Sequence, residues 1–118
     1  MKTATMAAAM LAAVVTGAAA QDVGGSYSVY GTNFDGSHYK GTVTIKGTGG
    51  DTCRISWNTG GTSSGLCMRS GSILAASYTT DGGAKGLVVY KIKADGSLDG
   101  TWTVADTKGV GYEVLTPR

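Results

Sequence analysis

Glycine-bearing turn signals return about every ten residues along most of this chain, and that spacing constrains the fold more than any other feature. They are Asp35-Gly36, Gly49-Gly50, Gly60-Gly61, Gly71, Asp81-Gly82-Gly83, Asp95-Gly96 and a looser break at Thr107-Lys108-Gly109. Each can supply the positive φ that a tight hairpin turn needs. The segments between them are rich in Val, Thr, Ser and Tyr, with one Glu and one Pro in the whole chain. That composition belongs to short strands rather than helices. The spacing predicts eight strands, at Gly25–Thr32, Tyr39–Lys46, Thr52–Asn58, Ser64–Arg69, Ile73–Thr79, Gly86–Lys93, Leu98–Val104 and Gly111–Thr116.

Alternation assigns faces to most of these strands. Tyr39, Gly41, Val43 and Ile45 share one side of the second, and Cys53, Ile55 and Trp57 one side of the third. Val88, Tyr90 and Ile92 oppose Val89, Lys91 and Lys93, while Leu98, Gly100, Trp102 and Val104 oppose Asp99, Thr101 and Thr103. Such patterning suits an antiparallel sheet with one buried face. A flat sheet of eight sequential strands would leave that face wet and two edges open, and closure solves both problems. The expected fold is therefore all-β, a small eight-stranded up-and-down meander barrel, with a β-sandwich as the alternative. Gly41 and Gly100, on inward faces, are expected to permit sharp bends. A weak repeat relates Val29-Tyr30, Asp35-Gly36-Ser37 and Gly41–Ile45 to Val89-Tyr90, Asp95-Gly96-Ser97 and Gly100–Val104. It reads either as shared hairpin chemistry or as a duplicated hairpin placed on opposite sides of the barrel.

The first 20 residues read differently. Lys2 precedes an apolar run of 12 residues from Ala4 to Val15, Gly17 breaks it, and Ala18-Ala19-Ala20 follows. This is the pattern of a secretory signal peptide cleaved before Gln21. Twelve residues fall short of the roughly 30 Å hydrocarbon core of a bilayer. Residues 21–118 then form a single exported domain, periplasmic or secreted, with no transmembrane segment after cleavage. The formal charge of the full chain is +2, too balanced to suggest a nucleic-acid partner.

Cys53 and Cys67 are the only cysteines. A hairpin turning at Gly60 places Cys53 opposite Cys67, Ile55 opposite Gly65 and Trp57 opposite Ser63. Directly opposed cysteines in an exported chain point to a disulfide. Closing a loop of about 15 residues contributes roughly 3 kcal/mol in the chain-entropy model.

Catalytic and metal chemistry find little support. His38 is the only histidine, and neighbours on a strand face opposite ways, so Asp35, Ser37 and His38 do not make a triad. Asp35, Asp81, Asp95 and Asp99 precede glycines, as turn residues do. Glu113, the sole Glu, lies between Tyr112 and Val114. Alternation favours Tyr112 and Val114 in the core and Glu113 in solvent. In the opposite parity Glu113 is buried and needs a partner such as Arg54, Arg69 or a Tyr hydroxyl. Tyr39, Trp57, Tyr90 and Trp102 are candidate ligand or core aromatics, with core filling favoured because strands this short enclose little volume. No metal site, cofactor or enzymatic activity is expected.

Most of the domain also carries a resemblance. Gly25–Asn33, Asp35-Gly36-Ser37, Cys53-Arg54-Ile55-Ser56-Trp57, Gly65–Arg69, Gly86–Tyr90, Asp95–Trp102 and Glu113–Pro117 resemble a group of short exported bacterial proteins of poorly defined function, some labelled fibronectin-binding protein. More loosely, the meander and Gly100-Thr101-Trp102 are similar to avidin-like and other calycin barrels. The resemblance implies a binding module. The expected function is binding of a small apolar molecule or a protein surface. The alternative is an envelope or adhesion protein of the fibronectin-binding kind, acting through exposed strands and loops.

Overall fold

The computed structural model describes residues 22–118, so the expected signal peptide over 1–20 and the cleavage before Gln21 lie outside the described residues. Eight strands form in the predicted order: β1 Gly25–Thr32, β2 His38–Gly49, β3 Thr52–Asn58, β4 Thr62–Ser70, β5 Ile73–Thr80, β6 Lys85–Ile92, β7 Leu98–Val104 and β8 Gly111–Pro117. Each pairs antiparallel with the next, and β8 returns to β1 through Tyr27↔Pro117 to Thr32↔Tyr112. The sheet is a closed barrel, not a sandwich. Closure pairs both edge strands, which an open eight-stranded meander would leave exposed.

The turns behave as their residues dictate. Positive φ appears at a glycine in each of the first six, including Gly36 and Gly96 at 89°. The looser seventh break is different: Asp106 takes the left-handed conformation (φ 66°), and Gly109 instead makes room for the Phe34 ring. The two Asp-Gly-Ser turns are near copies. In each, the Asp Oδ1 accepts from the Ser amide at 2.9 Å and the Ser hydroxyl at 2.6 Å. They stand at opposite ends of the barrel, between β1 and β2 and between β6 and β7. The flanking faces are reversed as well, since Val29 and Tyr90 point inward while Tyr30 and Val89 point outward. The repeat is thus a shared turn rather than a hairpin copied with its orientation.

The cysteines meet as the register predicts. Cys53↔Cys67, Ile55↔Gly65 and Trp57↔Ser63 are direct partners, and the disulfide spans a Cα–Cα distance of 4.9 Å. At Gly41, where a bend is expected, the structure shows a close backbone approach: a Cβ there would lie 2.0 Å from the Asn58 carbonyl oxygen, so only glycine fits. Gly65 does the same against the Ser77 carbonyl, at 1.7 Å. Gly100 has another task. A Cβ there would meet the Tyr90 ring at 2.6 Å, so it houses a side chain rather than a bend.

The interior divides in two along the barrel axis. At the end bearing the β2–β3, β4–β5 and β6–β7 turns, Tyr27, Ile45, Leu74, Ile92, Leu98 and Leu115 pack around the disulfide, all buried. We call this the closed half. The other end, where the β1–β2, β3–β4, β5–β6 and β7–β8 loops gather, carries the aromatic residues and is the open half.

Candidate functional site

The open half holds a cavity of about 330 Å³. Its walls include Tyr39 from β2, Trp57 from β3, Tyr78 from β5, Val88 from β6, Trp102 and Val104 from β7, and Glu113 from β8. Asn33, Thr59, Ser63 and Thr80 complete the lining toward the loops.

The sequence leaves this space hollow by pairing rings with glycines. Tyr39, Tyr78 and Trp102 stand directly across from Gly31, Gly86 and Gly111 on the neighbouring strand. A Cβ at those glycines would fall 2.1 or 2.2 Å from ring atoms, so each ring lies over the bare backbone beside it. Rings laid along the wall fill less of the centre than rings pointing across it. The favoured expectation of a filled barrel is corrected accordingly. Tyr90 is fully buried over Gly100 and reaches the site only through its hydroxyl on Glu113, while Trp57, Tyr39 and Trp102 border a half-empty interior.

Glu113 is the second correction. Alternation favoured it in solvent, but it is buried, and Tyr112 and Val114 face out. Parity was settled by partners that sequence spacing does not show: Leu115 belongs to the closed half, and Gly111 must lie under Trp102. The carboxylate takes three hydrogen bonds. Tyr39 Oη donates to Oε1 at 2.5 Å, Trp57 Nε1 donates to Oε2 at 3.0 Å, and Tyr90 Oη donates to Oε2. The partners are therefore two Tyr hydroxyls and an indole. Arg54 faces outward on β3, and Arg69 stands at the closed end of β4, where its Nε donates to the Gly71 carbonyl at 2.9 Å.

These surroundings hold the tyrosines in their protonated form. Burial, then the charge of Glu113, push Tyr39 and Tyr90 well above the ordinary phenol range. The same two causes push Tyr78 up to about 12, and its hydroxyl donates to the Thr103 carbonyl at 2.8 Å. Trp102 completes the wall. Phe34 stacks on it from the loop side with ring centroids 4.9 Å apart, and Tyr39 meets it edge-on at 6.3 Å. Trp102 Nε1 lies close enough to the Tyr39 hydroxyl to moderate its rise slightly, yet the pair does not reach hydrogen-bond geometry. That nitrogen is the one buried side-chain polar atom among the described residues without a partner.

His38 opens β2 on the outside, stacks on Tyr30 at 5.2 Å and has Nδ1 3.3 Å from Thr32 Oγ1. It takes no part in the cavity. Tyr78, by contrast, was absent from the candidate residues. Its signal was the spacing that sets it across a hairpin from Gly86, the same aromatic-over-glycine pairing as Tyr39 and Trp102.

No protein-family model and no curated protein matches the sequence. Solved structures do match in fold. One redesigned β-barrel aligns with a TM-score of 0.72 at 15% identity, covering 81% of this chain and 91% of its own. A redesigned β-barrel bound to DFHBI aligns at 0.70 and 19%, covering 81% and 94%. A de novo designed fluorescence-activating β-barrel aligns at 0.68 and 17%, covering 86% and 98%. At these identities the likeness establishes the small closed barrel.

Proposed function

We propose that this chain is an exported, non-enzymatic barrel that binds a small molecule in its open half, in the periplasm or outside the cell. The observation that carries the reading is the cavity. Its volume of about 330 Å³ lies at the lower end of ligand pockets, and its apolar walls with a few convergent polar groups are their usual make-up. The Cys53–Cys67 disulfide supports an oxidising compartment. Designed barrels of the same fold, one of them bound to DFHBI, support a small-molecule occupant for this architecture. Binding is favoured over turnover because the described lining offers Glu113 no second carboxylate, His or Lys, and its tyrosine hydroxyls are held protonated well above neutral pH.

Native mass spectrometry of the protein purified from its source tests the reading. The expected result is a discrete added mass that is lost on collisional activation. A clean apo mass, together with unchanged Trp57 and Trp102 emission across a small-molecule library, would overturn it.

One observation favours a second reading, an envelope or adhesion role of the fibronectin-binding kind. Leu66, Met68, Ile73, Leu87 and Val89 are all exposed on the outer faces of β4, β5 and β6. Met68 and Val89 are joined through Ala75 across the three strands, which makes the patch continuous. Contiguous exposed apolar surface marks interaction sites. Retention on a fibronectin-coated surface, abolished by Leu87→Lys with Val89→Lys, is what this reading expects. Equal retention of both forms removes it.

A further inference from the structure

The proposed binding role leaves the ligand's chemistry open, and the cavity's charge narrows it. Glu113 is the only charged residue in the described lining, which includes no Lys, Arg or His. Outside the cavity, Lys93 is engaged with Asp99 at 3.2 Å, at the closed end of the barrel. The buried carboxylate is therefore held by neutral donors alone, two hydroxyls and an indole N–H. Hydrogen bonds of this kind stabilise the charge without neutralising it, and a buried charge without a counter-ion is costly.

The hydrogen-bond count leaves one place for a partner. A carboxylate offers about four acceptor positions. Two on Oε2 are taken by Trp57 and Tyr90, and one on Oε1 by Tyr39. The remaining lone pair belongs to Oε1, the oxygen held by Tyr39, itself a residue of the cavity wall. Around it stand four electron-rich rings. Trp57 meets Tyr78 at 61° and Tyr39 meets Trp102 at 65°, so the rings form angled walls rather than one flat stack. Ring faces attract cations, most strongly once water is removed. A negative group and several aromatic rings lining one cavity is the complement of a positive charge on an apolar body.

We propose that the occupant of the open half is a small organic cation, an amine or quaternary ammonium, with Glu113 as its counter-ion and Trp57, Tyr78, Tyr39 and Trp102 as its walls. An acceptor atom elsewhere on the ligand would also satisfy Trp102 Nε1, which has no partner in the protein. The proposal rests on the small-molecule reading above.

Calorimetric titration with three matched probes separates the two. Benzyltrimethylammonium carries the charge, neopentylbenzene is its neutral isostere, and phenylacetate carries the opposite charge. The cation is expected to bind at least about tenfold more tightly than the neutral isostere, with phenylacetate weakest. Glu113→Gln should collapse that preference while retaining the neutral probe. The amide can keep its oxygen toward Trp57 and Tyr90 and turn its NH2 toward the Tyr39 hydroxyl, which can accept, so the variant is compatible with the fold. Thr80→Lys supplies a second variant, placing a fixed cation in the lining, and should weaken the ammonium probe selectively. Saturable binding of neopentylbenzene at equal or higher affinity than the ammonium overturns the cation assignment and leaves the small-molecule reading standing. Failure of all three probes to bind up to their solubility limits overturns the cation assignment, while the small-molecule reading falls only with the clean apo mass and unchanged emission described above. Loss of the ammonium preference in neither variant overturns the role of Glu113.

Discussion

The closed and open halves of the barrel are built on the same eight strands and packed by opposite means. In the closed half Leu74, Leu98 and Leu115 have no exposed surface, and a disulfide ties β3 to β4 among them. In the open half rings lie flat over Gly31, Gly86 and Gly111, and the centre is left to a carboxylate and a cavity. Aliphatic side chains pack without directional demands, so they can fill a tapering space completely. Aromatic rings carrying hydroxyls and N–H groups must place those atoms on partners, and here Glu113 collects three of them. The difference teaches that this small barrel places its fully buried leucines and its disulfide at one end and keeps a polar, hollow site at the other.

That division can be broken or sharpened by experiment. The largest effect belongs to the closed half. Leu74→Ala removes a fully buried side chain and should lower the unfolding free energy by about 3–5 kcal/mol in urea titrations, with probe affinity of the folded fraction unchanged. A large affinity loss would mean that the halves are not independent. Next comes the disulfide. Cys53→Ala with Cys67→Ala should cost roughly 3 kcal/mol, given a sequence separation of 14, again without touching the cavity. Near-unchanged urea midpoints would place stability elsewhere.

In the open half, Glu113→Gln should cost only about 1 kcal/mol, because Trp57 and Tyr90 keep their acceptor and the Tyr39 hydroxyl accepts from the amide in place of donating. Glu113→Leu should cost more, leaving the Tyr90 hydroxyl and the Trp57 N–H buried and unpaired. If both variants unfold as easily as Leu74→Ala, the carboxylate is as structural as the leucines and the division fails.

Two smaller effects concern pH. The Tyr78 pKa is raised to about 12 in the folded protein, so its contribution is complete below its ordinary value near 10 and is lost as pH rises through about 12. Tyr78→Phe should flatten that alkaline loss in thermal melts, and an unaltered profile would assign it to other groups. The smallest effect compares the twin turns. Asp35 and Asp95 are both held below the ordinary carboxylate range by their Ser37 and Ser97 hydrogen bonds. Their contributions are present above about pH 3.9 and fall away as pH drops through the depressed values. Asp35→Asn and Asp95→Asn should therefore shift the melting temperature slightly and equally. Unequal shifts would show that the two ends differ even in their turns.

Much of the fold was legible because its causes are local. A glycine with positive φ sits in each predicted turn but the last, and hairpin arithmetic placed Cys53 opposite Cys67 and Trp57 opposite Ser63. The candidate site was legible only in its membership. Tyr39, Trp57, Trp102 and Glu113 were all named as candidates, yet Glu113 was favoured on the wrong face and the aromatic set was read as filling. Tyr112 and Val114 are more apolar than Gly111 and Glu113, so alternation in β8 pointed outward for the carboxylate. Exposed Tyr112 and Val114 show that hydrophobicity along one short strand is a weak witness when its neighbours are unknown.

Taken alone, the amino-acid sequence determined the eight strands, their antiparallel order, the turn chemistry and the pairing of the cysteines. These depend on backbone sterics and on contacts within single hairpins, which short-range spacing encodes. Closure of β8 onto β1 was expected from the strand count and is observed, whereas only the tertiary structure decided that Glu113 turns inward and that one half stays hollow. Tyr39 reaches Glu113 across 74 residues and Trp57 across 56, contacts that exist only once the barrel has closed. Whether a buried carboxylate is tolerated depends on how many donors closure brings to it, and that number is a property of the assembled interior.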